Sequence, residues 1–194
     1  VARGPLFTGT YPFAAGLAAS LAALKALQLA RRWTAIGLAA LTLGLSPLAF
    51  LYLCLAVVAA FLARRPRLDR GAVALGGALL ALGLFQGALL LLYAEEAEYP
   101  FFRVEELLGV VALSGLCIAL VLRAERGRFL AAVFGLWTLA AVIACLVPSP
   151  IGENVTRLRG IVLPLALLAA AVASYRPRWL AGVAVAGALA FTAV

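Results

Sequence analysis

The residues best suited to chemistry in this chain lie in one short segment, Pro148-Ser149-Pro150-Ile151-Gly152-Glu153-Asn154-Val155-Thr156-Arg157-Leu158-Arg159-Gly160. Two prolines and a glycine stiffen the turn, and Asn154, Thr156, Arg157 and Arg159 supply donors where the next helix is expected to start. Guanidinium forks beside the N–H groups of a helix start suit a phosphate or a carboxylate. These four residues are therefore the candidate anion- or lipid-phosphate-binding set. A plainer role also fits them: a structured turn whose arginines snorkel to lipid phosphates.

A second polar segment runs from Tyr93 to Glu106 and holds Glu95, Glu96, Glu98, Glu105 and Glu106 around Tyr99-Pro100-Phe101-Phe102. A metal contact, a sugar-hydroxyl contact or a general base at Glu105 or Glu106 would use such acids. A solvated loop with acids at a helix start would look the same and gain about 0.3–1 kcal/mol from the helix dipole. No DxD-like pair is present, which counts against a metal-bound nucleotide sugar. Histidine is absent, and Cys54, Cys117 and Cys145 lie in apolar stretches without CxxC spacing. Packed reduced thiols are the expected reading, with no metal and no cofactor. Neither a Walker A motif nor GxSxG occurs. No charge falls at the middle of an apolar stretch, so an ion-coupled relay is unsupported. The catalytic residues stay unassigned.

The elements that must hold these segments are greasy. The chain of 194 residues is 66% hydrophobic and 12% charged, with a mean hydropathy of +1.12, against roughly 45–50% apolar residues in soluble domains. Six apolar stretches are plain: Pro12 to Ala30, Gly71 to Tyr93, Glu105 to Leu122, Phe129 to Val147, Gly160 to Tyr175 and Leu180 to Val194. A spanning helix needs about 20 residues, and no alternation typical of a barrel strand appears. The stretch from Thr34 to Ala63 is long enough for one tilted, kinked helix or for two short ones meeting at Ser46-Pro47. Proline removes a helical hydrogen bond and turns the preceding residue away from helix.

Charge separates these two readings. With two segments, the arginines at 31–32, 64–70, 123–128 and 176–178 all face one side, eleven of them against Asp69 and Glu125. The other side holds Arg3, Arg103, Arg157 and Arg159 against six glutamates. Such a bias marks the cytoplasmic side of a multi-pass membrane protein. The expected fold is an all-α, polytopic transmembrane helix bundle of seven to eight membrane segments, including a short pair broken at Ser46-Pro47. It forms a single transmembrane domain over 1–194 in a bacterial plasma membrane. Trp33 and Trp179 mark the inner boundary, and Tyr11, Phe13, Tyr93, Tyr99, Phe101 and Phe102 the outer one. The net charge of +8 belongs to loop anchors, so membrane lipid is the expected partner and nucleic acid is not. Lys25 reads as a snorkelling side chain, and Gln86 between Gly83 and Gly87 as a helix-packing contact. Methionine is absent even at position 1, and the expectation is a piece of a longer protein.

Two segments carry a family resemblance. Gly9-Thr-Tyr-Pro-Phe-Ala-Ala-Gly16, followed by Leu-Gly-Leu-Ser-Pro-Leu-Ala49, resembles a region of large actinobacterial integral membrane proteins similar to membrane glycosyltransferases of the GT-C type. Val147-Pro-Ser-Pro-Ile-Gly-Glu-Asn-Val-Thr-Arg-Leu158 looks like a second motif of that group. The resemblance implies an enzyme that moves a sugar from a polyprenyl-phosphate carrier at the outer face. The catalytic acid of that class lies in a first outer loop that this fragment does not contain. Arg157 and Arg159, with the Ser46-Pro47 tip and the Gly9–Phe13 entry, would then line a pocket for the carrier phosphate. A secondary, MFS-like transporter and a scaffold without chemistry are the alternatives. A repeat would favour the transporter, and plain apolar helices are compatible with the scaffold. Accessibility tagging of single cysteines tests the topology: Arg65→Cys is expected to label from the cytoplasm, and Glu98→Cys and Val155→Cys from outside.

Overall fold

A computed structural model describes residues 10–64, 70–92, 104–122, 127–146 and 152–158, with the single positions 160, 167, 179, 182, 183 and 186. The elements are α1 (Thr10–Gln28), α2 (Arg32–Leu45), α3 (Pro47–Arg64), α4 (Arg70–Leu92), α5 (Val104–Val121), α6 (Gly127–Leu146) and the 3₁₀ helix η1 (Gly152–Leu158). Among the described residues there is no strand. The chain divides into two compact units: Val1–Val58 with Arg65–Ala97, and Ala59–Arg64 with Glu98–Val194.

In the first unit α1 and α2 form a hairpin. The amide of Arg31 donates to the Ala26 carbonyl at 2.9 Å and that of Ala30 to Leu27 at 3.0 Å. This is the paired closure that ends many helices, with its left-handed residue at Ala30 (φ 57°) where glycine is usual. The facing surfaces are small. Ala19, Ala23 and Ala26 of α1 are buried, as are Ala35, Ala39 and Thr42 of α2, so the two backbones can approach closely.

The stretch from Thr34 to Ala63 is two helices, and Ser46 serves both. It stands in extended conformation (φ −161°, ψ 112°), which a following proline favours. Its amide still donates to Thr42 at 2.8 Å. Its Oγ accepts from the Ala49 amide at 3.3 Å, the bond of an N-cap serine. Pro47 then occupies the first helical position, where its missing N–H costs nothing. The break is seated on α1. A Cβ at Gly16 would lie 2.9 Å from the Ala49 Cβ and 3.0 Å from that of Ser46. Ser20 Oγ donates to Gly16 at 2.9 Å and lies 3.3 Å from the Ala49 carbonyl, and Phe13 meets Tyr52 edge to face at 6.0 Å.

The chain doubles back at that break. A Cβ at Gly71, in the first turn of α4, would run into the Arg32 guanidinium at the start of α2. End to end, the 14 residues of α2 and the 18 of α3 would measure about 48 Å. The connection from Arg64 to Arg70 reaches only about 20 Å at full stretch. Two collinear helices could not bring Gly71 to Arg32, so the chain reverses direction between α2 and α3. The arginine pair at 31–32 and the start of α4 therefore share one end of the unit.

In the second unit α5 and α6 form another hairpin. A Cβ at Gly127 would collide with the Val121 carbonyl, so only glycine allows α6 to start this close to the end of α5. Val110, Leu113, Ser114, Cys117 and Val121 are buried on α5, and Val133, Phe134, Trp137 and Ala141 on α6.

The expected count of seven to eight membrane segments is not what these helices display. Among the described residues α5 and α6 are long and apolar enough to cross a membrane, by length and composition. Arg32–Leu45, Pro47–Ala63 and Val73–Leu89 are shorter apolar helices, since the break at Ser46 divides what would have been one long stretch. The expected segments Gly160 to Tyr175 and Leu180 to Val194 lie outside the described residues apart from single positions. Gly16→Val should lower the thermal stability of the detergent-solubilised protein by about 1–3 kcal/mol, because the added methyls meet Ser46 and Ala49. An unchanged melting transition would show that Gly16 does not seat the break.

Candidate functional site

The segment with the candidate donors folds as η1, and three residues per turn decide which side chains share a face. Gly152 opens it with positive φ (40°), a conformation open to glycine. Val155 and Leu158, three apart, form the inner face and are buried. Asn154 and Arg157 are also three apart and share another face, Asn154 half-buried and Arg157 exposed. Thr156 turns inward and is buried. The structure thus pairs Asn154 with Arg157 and separates Thr156 from them. Arg159 lies outside the described residues.

A residue without a role in the sequence reading holds this element. Trp137, fully buried at the middle of α6, donates its indole N–H to the Val155 carbonyl at 2.8 Å. Its ring also packs on Phe134, with centroids 6.2 Å apart. A buried indole needs an acceptor, and Trp137 alone of the three tryptophans falls inside an apolar stretch rather than beside arginines. That placement was the available signal. The consequence is that η1 returns along α6. Val155 is only 1% exposed, so a tag there reports on packing, and the exposed neighbour is Arg157.

The other candidates stay apart from η1. Glu105 is exposed and Glu106 half-buried in the first turn of α5, a placement that favours the helix dipole. The segment from Tyr93 to Arg103 lies outside the described residues. Lys25 is exposed in the last turn of α1. Gln86 is half-buried, but space is open within 4 Å of where a Cβ would stand at Gly83 and Gly87, so among the described residues no neighbour uses that GxxxG spacing. The three cysteines are free, and among the described residues no three His, Cys, Asp or Glu side chains gather as a metal site. The Ser46–Pro47 turn and η1 belong to different units.

Chemically, η1 offers one guanidinium and one carboxamide on a common face, backed by a buried hydroxyl. Residues of those types suit an oxyanion, which accepts charge-assisted hydrogen bonds. It contains no nucleophile–base pair. No protein-family model matches the chain, and no curated protein or solved structure matches it either.

Trp137→Phe keeps the ring packing and leaves the Val155 carbonyl without its donor, a loss of about 1–3 kcal/mol. The expected outcome is lower thermal stability together with faster proteolysis within 152–158. Unchanged proteolysis would show that the indole does not hold η1.

Proposed function

We propose that this chain is the multi-pass, membrane-embedded part of a GT-C-like glycosyltransferase that uses a lipid-linked sugar at the outer face of a bacterial plasma membrane. The observation that carries the membrane half of this reading is the outward apolar surface. Every α-helix turns large hydrophobic side chains outward, among them Leu21, Leu41, Leu62, Leu84, Leu108 and Ile143, each more than half exposed. Trp33 is 85% exposed beside Arg31 and Arg32, as an aromatic at a membrane boundary would be. Soluble monomers rarely expose apolar patches beyond a few hundred Å², and lipid is the solvent that removes the penalty.

On this reading α1 to α6 and the two stretches after residue 159 make up the seven to eight segments. The doubled-back pair α2–α3 enters and leaves at the arginine-rich cytoplasmic side. The carrier's phosphate is held by Arg157 and Asn154, with Thr156 supporting η1 from behind and Arg159 completing the basic set. Support for the sugar-transfer half comes from the resemblance of the Gly9–Ala49 and Val147–Leu158 motifs and from the oxyanion-type donor pair on η1.

The test uses the intact protein in vesicles with a polyprenyl-phosphate sugar. Sugar transfer is expected, and Arg157→Ala should lower kcat/KM by about tenfold to a hundredfold, the worth of a hydrogen bond to a charged group. Absence of both carrier binding and sugar transfer would refute the proposal.

A further inference from the structure

Resting on the membrane reading above, we propose that η1 is a re-entrant segment, one that dips back into the bilayer and forms the floor of a water-filled recess for a phosphate-class anion. The argument starts from the Trp137–Val155 bond of 2.8 Å. Trp137 lies nine residues before the end of α6 at Leu146, which is about 14 Å along the axis. The 20 residues of α6 measure about 30 Å, the thickness of the hydrocarbon core. Val155 is therefore at half depth, not at the surface where the arginine-bearing loop was expected.

Irregular backbone is tolerated at that depth only where protein covers it or where it lines water. Val155, Thr156 and Leu158 meet the first condition, being buried. Arg157 meets the second, because it is exposed and a guanidinium facing hydrocarbon is strongly disfavoured. A separate observation falls at the same level. Ser114 Oγ is buried without a hydrogen-bond partner, whereas Ser20, Thr42 and Thr138 each bond the carbonyl four residues back. From the junction where Gly127 abuts Val121, Ser114 is about 10 Å up α5 and Trp137 about 15 Å up α6. The Ser114 hydroxyl on α5 and the Trp137–Val155 pair on α6 thus sit within about one helical turn of the same height. The recess binds a phosphate group through Arg157 and Asn154, whether it arrives free or as a lipid headgroup.

The test uses the full chain in lipid vesicles, with its native cysteines changed to alanine and with Trp33→Phe and Trp179→Phe. Trp137 fluorescence should be quenched best by lipids brominated near the bilayer centre. A bimane on Arg157→Cys should be quenched by Trp137 and recover in Trp137→Phe. Separately, Asn154→Cys, with Arg157 retained, should react with a water-borne thiosulfonate. Protection should slow that reaction about tenfold, with either millimolar inorganic phosphate or a polyprenyl phosphate in the vesicle, and Arg157→Gln should abolish it. Protection by the lipid alone assigns a headgroup, and protection by inorganic phosphate assigns a free anion; both support the recess. No protection by either overturns the anion site. Central quenching of Trp137 with an unquenched bimane overturns re-entry alone. Absent lipid quenching of Trp137 removes the membrane reading with it.

Discussion

The reversal of the chain at Ser46 is the constraint on which the first unit depends. One residue ends α2, caps α3 and precedes the proline that forbids a continuous helix. Gly16 allows the turn to sit directly on α1, with Ser20 bonded across to Ala49. Because the chain returns there, the guanidinium of Arg32 reaches the bare backbone of Gly71. A straight helix would instead have carried the arginines after residue 63 to the far end. The approach of Arg32 to the start of α4 thus rests on a local event of backbone stereochemistry.

The polar side chains of the interior are served largely by backbone within their own helix. Helices meet through alanine, serine, threonine and glycine, and the hydroxyls of Ser20, Thr42 and Thr138 bond their own helix's carbonyls. Many large side chains point outward, while Phe50, Tyr52, Leu53, Phe134 and Trp137 are buried. The second unit departs from this pattern at η1, whose backbone is accounted for by Val155 and Leu158 facing inward and by the Trp137 indole. Tertiary hydrogen bonds thus tie both units, Ser20 to Ala49 in the first and Trp137 to Val155 in the second.

Much of this was legible in the residues themselves. Apolar runs of sufficient length located α1, α4, α5 and α6, and Ser46-Pro47 located the break. What escaped depends on partners distant in sequence. Gly71 reads as an ordinary helix start until Arg32 is beside it. Ala30 adopts a left-handed conformation that glycine would have signalled, and nothing local replaces that signal. Gly83 and Gly87 looked like a packing motif, yet such spacing only permits an approach, and here the space is open. At the candidate site the donors were visible as residue types. Their grouping was not, because Asn154 and Arg157 share a face only in a helix with three residues per turn, and that geometry buries Thr156.

The reversal can be measured directly as a distance in lipid between spin labels at positions 31 and 70 of the intact protein. A folded-back α2–α3 pair places the two labels within about 20–25 Å, given one connection's reach and the label tethers. A separation near 48 Å, the length of α2 and α3 laid end to end, would contradict the account.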